Sequence, residues 1–187
     1  MPADPDIQLM LSFKDGDAYA FQKLFNKYKK RVMNYCFRFC GNHAMAEDLA
    51  QETFLRVYKA ASRYQPKARF TTWMFKIATN VCLNELRKPD YSQKIESLES
   101  EDSSEDSIIQ DPHQPGTDTD YELHETQRVI HQAIMELPEK QRVALLLKVE
   151  GEFSYKEIAK QIFCSENHVK ILIYRARQRL KEVLIVS

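Results

Sequence analysis

The sequence predicts an all-α protein with two small helical domains joined by a flexible acidic linker. Three observations lead to this architecture. Apolar side chains recur at steps of three and four residues in both terminal parts of the chain, as on the buried face of a helix. Only four glycines occur in 187 residues, which argues against a turn-rich β architecture. Between the helical parts, residues 91–125 show no sustained apolar period.

The distribution of charge separates the same three parts. Residues 1–90 carry 15 basic and nine acidic side chains, a net of +6, and residues 126–187 carry 11 and seven, a net of +4. The intervening residues 91–125 carry one basic and 11 acidic side chains, a net of −10. A segment of this composition buries too little apolar surface to offset the entropy of ordering it. We therefore predict a domain at 1–90, an extended, self-repelling linker at 91–125 and a domain at 126–187.

Several classes of protein are disfavoured. No run approaches the roughly 20 apolar residues of a membrane helix, and the N-terminus lacks a basic-then-apolar signal, so we expect a cytoplasmic protein without membrane insertion. The four cysteines, Cys36, Cys40, Cys82 and Cys164, are spaced irregularly, which favours reduced thiols. Cys36 and Cys40 with His43 could form a metal or redox set, but free cysteine is commonly buried as a small hydrophobe. We predict no cofactor.

The first domain is predicted to contain three helices. Over residues 17–40 apolar side chains recur at helical spacing, Gly41 ends the helix, and Asn42 can start the next. Residues 44–64 repeat the pattern. A second side of that helix carries an acidic and polar stripe, which by itself is typical of a solvated face: Glu47, Asp48, Gln51, Glu52 and Leu55.

The third helix carries a face suited to single-stranded nucleic acid. Pro66 breaks the helical period, and Thr71 or Thr72 can cap the helix that follows. Opposite its apolar side lie one aromatic ring, two cations and two carboxamides: Trp73, Lys76, Asn80, Asn84 and Arg87. The ring can stack on an unpaired base, the amides can hydrogen-bond base edges, and the cations can neutralise phosphates. Composition supports equally a partly buried Trp73 beside ordinary surface residues.

The second domain is predicted to contain a helix-turn-helix. Pro138 opens a helix over residues 139–149, and Ser154 with Glu157 forms a capping box for a short helix. A four-residue break leads to a last helix from about residue 167 to 183. Two helices joined by so tight a turn form the unit whose second helix enters the major groove. A generic helical domain is the alternative.

The last helix has a buried side and a reading side. Val169, Ile173, Ala176 and Leu180 form an apolar seam at helical spacing. The remaining side chains combine amides, apolar groups and cations that can contact base edges, thymine methyls and phosphates: Asn167, Lys170, Ile171, Tyr174, Arg175, Gln178 and Arg179.

Short motifs occur in a fixed order along both domains. Residues 46–55 read AEDLAQETFL, 72–80 read TWMFKIATN and 137–142 read LPEKQR; 155–159 read YKEIA, followed by VK at 169–170 and YRAR at 174–177. In this order they resemble regions 2.2, 2.3 and 2.4, 4.1, and 4.2 of the bacterial sigma-70 superfamily, in particular its extracytoplasmic-function sigma factors. The resemblance covers roughly residues 17–90 and 126–183, so the predicted domains correspond to a sigma region 2 bundle and a sigma region 4 helix-turn-helix.

The resemblance implies a role for each face. The stripe from Glu47 to Leu55 corresponds to the surface that binds the clamp helices of the β′ subunit of core RNA polymerase, and the second domain is expected to meet the β flap. The loop over residues 65–71 corresponds to a pocket for a flipped base, and the last helix to the reader of the minus-thirty-five element. Contacts to the minus-ten element are expected from Lys67, Arg69, Thr71, Trp73, Lys76, Asn80, Asn84 and Arg87.

The resemblance also implies partners and a reaction class. Core RNA polymerase, promoter DNA and an anti-sigma factor are the expected partners, and no member of the family is an enzyme by itself. Fewer than 20 residues precede the first predicted helix, so the family's large N-terminal inhibitory region is not expected. The run Ile171–Ile173 is unusually apolar for a recognition helix, and Leu172 could instead meet another protein.

Three functions compete at this point. The first is a promoter-specificity subunit that works with core polymerase, and the second is a stand-alone helix-turn-helix regulator of duplex DNA. The third is a helical adaptor that does not bind promoters. Trp73, Asn80 and the preceding loop favour the first, because a regulator that binds only duplex DNA has no use for a single-strand site.

Overall fold

The computed structural model describes residues 4–88, 128–150 and 153–186, and every regular element within these ranges is helical. This confirms the all-α prediction, whereas the predicted linker at 91–125 lies outside the described residues. The helices are α1 (Pro5–Lys14), α2 (Ala18–Cys40), α3 (His43–Ala60), α4 (Phe70–Leu86), α5 (residues 128–135), α6 (Glu139–Val149), α7 (Tyr155–Gln161) and α8 (Glu166–Val186). Within these described ranges, no helix is long and apolar enough to cross a membrane.

Helix α1 was missed by the sequence analysis, which placed no helix before residue 17. Its apolar residues do not gather on one side, so the sequence shows no helical period there. The Asp4 side chain starts the helix by accepting a hydrogen bond from the backbone N–H of Asp6 at 3.0 Å, and Pro5 occupies the first helical position. Met10 is fully buried against the helices that follow.

Helix α2 ends and α3 begins where local signals predict. Asp17 caps α2, and Gly41 ends it in a left-handed conformation with φ of +76° that an L side chain rarely adopts. The Asn42 side chain then accepts from the backbone N–H of Met45 at 2.9 Å and starts α3. The predicted span of 44–64 is divided, because α3 ends at Ala60 and a 3₁₀ turn, Ala61–Arg63, follows.

The start of α4 corrects the sequence prediction. Neither Thr71 nor Thr72 caps this helix, which begins at Phe70 without a side-chain cap from Arg69. The backbone N–H of Phe70 instead donates to Asp4 Oδ2 at 3.2 Å. One carboxylate therefore satisfies exposed helix-start donors on both α1 and α4, which are 66 residues apart along the chain.

The helix-turn-helix agrees closely with prediction. Helix α6 follows Pro138, and Ser154 and Glu157 form the complete capping box of α7. The turn holds Phe163 at φ of +53°, which is uncommon for a residue with a large side chain. The last helix starts at Glu166 and extends to Val186, slightly beyond the predicted span.

The two halves of the described chain pack against each other. Helix α2 contacts α6, and α4 contacts α6 as well. Phe39 and Phe75 of the first half and Leu146 and Leu147 of the second belong to one continuous cluster of buried apolar side chains. The sequence predicted two separate modules, the helical domains at 1–90 and 126–187, joined by a linker. It contained no signal for this direct contact.

A buried carboxylate ties α1 to α2. Asp6 is only 6% exposed, and its oxygens accept from Lys27 Nζ at 2.7 Å and from the Tyr28 hydroxyl at 2.5 Å. Burial, followed by the hydrogen bond to Asp6, raises the pKa of Tyr28 far above its usual value, so the phenol remains a donor. Two side chains of α2 are thus joined by hydrogen bonds to one carboxylate of α1.

Asp6→Ala is expected to lower the free energy of unfolding by about 2–3 kcal/mol, because it leaves a buried hydroxyl and an ammonium without their acceptor. Asp15→Ala, which removes an exposed carboxylate just after α1, is the matched control and should change stability by less than about 0.5 kcal/mol. Urea denaturation followed by circular dichroism measures both. Equal effects of the two variants would contradict the role assigned to Asp6.

Candidate nucleic-acid and polymerase interfaces

The acidic stripe of α3 lies on the outside of the helix. Glu47, Asp48, Gln51 and Leu55 are exposed, and Glu52 is half-buried, with its carboxylate accepting from Arg56 Nε at 2.6 Å. The other side of α3 is buried in the core. The sequence prediction of an exposed polar face is thus confirmed, and the face combines negative charge with an exposed leucine.

A groove of about 580 Å³ runs between α3 and α4 beside this stripe. Asp48 and Glu52 line one wall, and Asn84, Glu85 and Lys88 line the other. Sequence analysis assigned Asn84 to the minus-ten stripe, apart from the α3 stripe. The structure brings the two sets together at the end of α4, because antiparallel helices joined by a short loop place these ends side by side.

The predicted nucleic-acid stripe runs along the surface of α4. Lys76, Asn80, Asn84 and Arg87 are exposed, and Trp73 is half-buried. Both readings of Trp73 therefore hold in part, since its indole is partly covered by the core and partly open to solvent.

Trp73 is held in place by aromatic rings. Its ring lies 4.8 Å from that of Tyr64 in an edge-on arrangement and 5.9 Å from that of Phe70. Tyr64 was missed by the sequence analysis. Its hydroxyl is buried without a hydrogen-bond partner among the described residues, and burial raises its pKa to about 12. A half-exposed indole held by two neighbouring rings is a suitable platform for an unpaired base.

The loop before α4 presents its cations to solvent. Lys67 and Arg69 are exposed and Thr71 is half-buried, whereas Phe70 is anchored in the core. The backbone N–H of Lys67 donates to the carbonyl of Gln65 at 2.8 Å, which closes a tight turn. The loop thus places two positive charges at the end of α4 that carries Trp73.

The reading side of α8 is open. Val169, Ile173 and Ala176 are buried, which confirms the predicted seam. All members of the predicted reading set are exposed: Asn167, Lys170, Ile171, Tyr174, Arg175, Gln178 and Arg179. Tyr155, which the sequence analysis did not include, lies 5.9 Å from the Lys170 ammonium and 4.9 Å from that of Lys148. Its ring therefore helps to position a predicted phosphate contact.

The burial of Leu172 corrects the suggestion from the sequence that this residue could meet another protein. It is 6% exposed and belongs to the apolar core, because it lies three residues after Val169 and four before Ala176 on the buried side of α8. Its neighbour Ile171 is 46% exposed.

Three of the four cysteines, Cys36, Cys40 and Cys82, are buried in the core, and Cys164 is half-buried. Cys36 and Cys82 lie with their Sγ atoms 3.9 Å apart, and Cys40 Sγ faces the carbonyl of Asn42. Burial raises the pKa of Cys40 to about 11 and that of Cys82 well above its usual value, which keeps these groups as unreactive thiols. The His43 ring packs on Phe37 in a tilted arrangement, with 4.2 Å between ring centroids. Within the described ranges, no group of three His, Cys, Asp or Glu side chains is arranged to hold a metal.

Comparison with known proteins identifies two family regions in the chain. Residues 24–90 match the family model described as Sigma-70 region 2, and residues 127–180 match the model described as Sigma-70, region 4. The chain is 35% identical to the ECF RNA polymerase sigma factor SigW of Bacillus subtilis over 174 residues, which cover 91% of this chain and 92% of that protein. It is 31% identical to the RNA polymerase sigma-H factor of Pseudomonas aeruginosa over 186 residues, covering 97% and 94% of the two chains.

Solved structures share the fold. CnrH, determined in complex with the cytosolic domain of CnrY, matches with a TM-score of 0.64 at 20% identity over 98% of this chain and 99% of that one. The sigma factor RpoE of Bartonella quintana, determined with the anti-sigma factor NepR, matches with a TM-score of 0.63 at 24% identity over 89% and 98%. The fold and the two matched regions define a sigma-70-type transcription initiation factor. Within that class, the chain belongs to the extracytoplasmic-function (ECF) RNA polymerase sigma factors.

The neighbouring residues Leu172 and Ile171 are expected to respond differently to truncation. Leu172→Ala should lower the stability of the protein by about 2–4 kcal/mol, because it leaves a cavity in the core. Ile171→Ala, on the exposed side of the same helical turn, should change stability by less than about 0.5 kcal/mol. Thermal unfolding of the two variants side by side measures this, and equal destabilisation would contradict the assignment of the two sides of α8.

Proposed function

We propose that the exposed faces of this sigma factor divide promoter recognition between them. The α3 stripe binds the β′ clamp helices of core RNA polymerase, the loop over 65–71 and α4 hold the melted minus-ten strand, and α8 reads the minus-thirty-five element. The observation that carries the proposal is the pairing, on one chain, of a supported, half-open Trp73 with an exposed helix-turn-helix reading face.

Helix α4 supports capture of a single strand. A base that leaves the duplex stack loses its stacking energy, a cost of a few kcal/mol. Stacking on the Trp73 indole recovers part of that cost, and Lys67, Arg69 and Lys76 neutralise neighbouring phosphates. The exposed Asn80 and Asn84 amides can hydrogen-bond base edges. Duplex DNA offers no unpaired base, so this site acts only where the strands have opened.

Helix α8 supports major-groove reading. Lys170, Arg175 and Arg179 supply phosphate contacts, which set position and affinity without reading sequence. Ile171 and Tyr174 project between them, and an isoleucine prefers a thymine methyl to a hydrogen-bonding guanine edge. The reading set therefore predicts a minus-thirty-five element in which thymine has a prominent part.

The chain supplies promoter recognition and capture of the melted strand, whereas the polymerase supplies the chemistry of RNA synthesis. We therefore propose no enzymatic activity for the chain itself. Because polymerase and promoter DNA are cytoplasmic in bacteria, we propose that this protein acts in the cytoplasm. We also propose that the second module contacts the β flap of core RNA polymerase. The related folds of CnrH and RpoE were determined with protein partners, and RpoE with an anti-sigma factor, which supports an anti-sigma partner here.

Run-off transcription with purified core polymerase tests the proposal. Promoter templates are found by sequencing the transcripts that overexpression of the protein induces. New, defined start sites that appear only when protein and core enzyme are combined would support it. A protein that binds duplex promoter DNA tightly alone, yet adds nothing to initiation by core enzyme, would instead be a stand-alone regulator.

Asp48→Arg is expected to reduce run-off transcription at least about tenfold, because it places a cation in the acidic face proposed to bind polymerase. Asp15→Arg makes the same charge change at an exposed position outside that face and should leave activity near the wild-type level. Binding of each variant to core polymerase, measured by fluorescence anisotropy, tests association, and thermal unfolding of each variant tests for misfolding. Wild-type binding by Asp48→Arg would refute this assignment.

Two classes of substitution in α8 are expected to differ. Lys170→Ala and Arg175→Ala should weaken binding by similar factors on all promoter variants and reduce its dependence on salt. Ile171→Ala and Tyr174→Ala should change which minus-thirty-five bases are preferred, by about 1–3 kcal/mol at the affected position. Holoenzyme binding to a set of single-base promoter variants measures both effects. If both classes alter preference in the same way, the groove assignment is wrong.

A further inference from the structure

Helix α1 is bonded to both ends of the loop that precedes α4. Lys14, the last residue of α1, donates a hydrogen bond from Nζ to the backbone carbonyl of Tyr64 at 3.1 Å. At the other end of the loop, Oδ2 of Asp4, the N-cap of α1, accepts from the backbone N–H of Phe70 at 3.2 Å. Residues 65–69 therefore lie between two points that are both bonded to the same helix and its cap.

A helix is suited to hold two such points at a fixed separation. The ten residues of α1 span about 15 Å at about 1.5 Å per residue, and the backbone hydrogen bonds of the helix resist a change in that length. Helix α1 is itself anchored to the bundle by Met10, which is fully buried, and by Asp6, which binds Lys27 and Tyr28. The ends of the loop are thus fixed relative to the core.

The same bonds reach the aromatic rings around Trp73. Tyr64 and Phe70, whose backbone groups are bonded to α1 and its cap, are also the residues whose rings pack against the Trp73 indole. The Phe70 ring lies 5.5 Å from that of Tyr28, whose hydroxyl donates to Asp6 of α1. The loop and the indole therefore share α1 as a support.

The residue next to Phe70 does not supply this support locally. The first N–H groups of a helix have no acceptor within the helix and are commonly satisfied by the side chain of the preceding residue. Arg69 occupies that position in α4 and makes no capping bond, because a guanidinium has donors but no acceptor. A cation at residue 69 can contact a phosphate, and Asp4 supplies the acceptor in its place.

On the basis of the proposed function, we propose that α1 is the positioning element of the minus-ten site, with Asp4 and Lys14 as positioning residues. They act through the backbone of Tyr64 and Phe70 rather than by contact with DNA. Because both ends of the loop are fixed before DNA arrives, the loop loses less conformational entropy when it closes on an unpaired base.

Asp4→Asn separates the two hydrogen bonds that Asp4 makes. Asparagine is also a good N-cap and can start α1 through the N–H of Asp6, but it has one acceptor oxygen where aspartate has two. The N–H of Phe70 then loses its acceptor, and its hydrogen exchange, measured by NMR, should become at least about tenfold faster. Asp17→Asn makes the same change at the N-cap of α2, where both bonds lie within that helix, and should leave Phe70 exchange unchanged.

The effect on strand capture has an informative sign. Asp4→Asn and Asp17→Asn each remove one negative charge, which by general electrostatics would raise the affinity for DNA. Holoenzyme formed from core polymerase and Asp4→Asn should instead bind a promoter with a pre-melted minus-ten element about tenfold more weakly, because the loop must be ordered on binding. Holoenzyme with Asp17→Asn should bind at least as tightly as wild type.

Lys14→Met tests the other end of the loop. It keeps a long side chain on α1 but removes the donor to Tyr64, and it should also weaken promoter binding about tenfold. Lys23→Met removes the same charge from an exposed position on α2 and is the control. Trp73 is the only tryptophan in the chain, so quenching of its fluorescence by acrylamide should increase in Lys14→Met and not in Lys23→Met. Equal behaviour of the two lysine variants would contradict the role of Lys14.

The proposal is supported if Asp4→Asn speeds Phe70 exchange and weakens promoter binding while its binding to core polymerase stays at the wild-type level. Unchanged Phe70 exchange would show that Asp4 does not hold the loop. Faster exchange with unchanged promoter binding would show that holding the loop does not prepare the site. Either result overturns the inference, whereas failure of the wild-type holoenzyme to initiate transcription would contradict the proposed function itself.

Discussion

Helix α2 has to bury two sides at once, and much of the structure depends on that constraint. One side packs into the bundle with α1, α3 and α4, where Tyr35 is fully buried and its hydroxyl lies 2.7 Å from Thr79 Oγ1. Burial raises the pKa of Tyr35 well above its usual value, so the group remains neutral. Another side meets the second module through Arg31, Phe37 and Arg38. Because α2 belongs to both the bundle and the module contact, it fixes the position of one relative to the other.

The two sides use different interactions, and these differ in how much they contribute to stability. The bundle side is apolar and close-packed, so separating it would expose much apolar surface. The module contact includes half-exposed arginines, the Glu150 carboxylate and the His131 imidazole, which stacks on Phe37. Partly exposed ion pairs contribute modestly, because solvent screens them and both side chains lose entropy. The polar part of the module contact is therefore expected to contribute less to stability than the apolar cluster that the two halves share.

The proposed sites follow the same division between rigid support and open surface. Trp73 is supported by Tyr64 and Phe70, and the reading side of α8 is supported by a seam in the core of the second module. Side chains that are fixed on helices bind with a smaller loss of conformational entropy than side chains on loops. Only the cations before α4 lie on a loop, and the ends of that loop are bonded to α1 and its cap.

Features that depend on neighbours along the chain were determined by the sequence alone. Gly41, Asn42, Pro138 and the capping box at Ser154 mark helix ends where they were predicted, because each acts on backbone groups a few residues away. The sides of α3, α4 and α8 were predicted for the same reason, since helical spacing decides which side chains share a side. The order of motifs also identified the family.

Tertiary structure decided what depends on distant residues. Asp4 sets the start of α4 from 66 positions away, and α1 forms with little periodicity because other helices bury Met10. The groove that joins Asn84 to the α3 stripe arises from the packing of two helices. Above all, the sequence showed two modules and a linker but not their contact, because the charge on Glu150 has no visible partner until α2 and α6 are brought together.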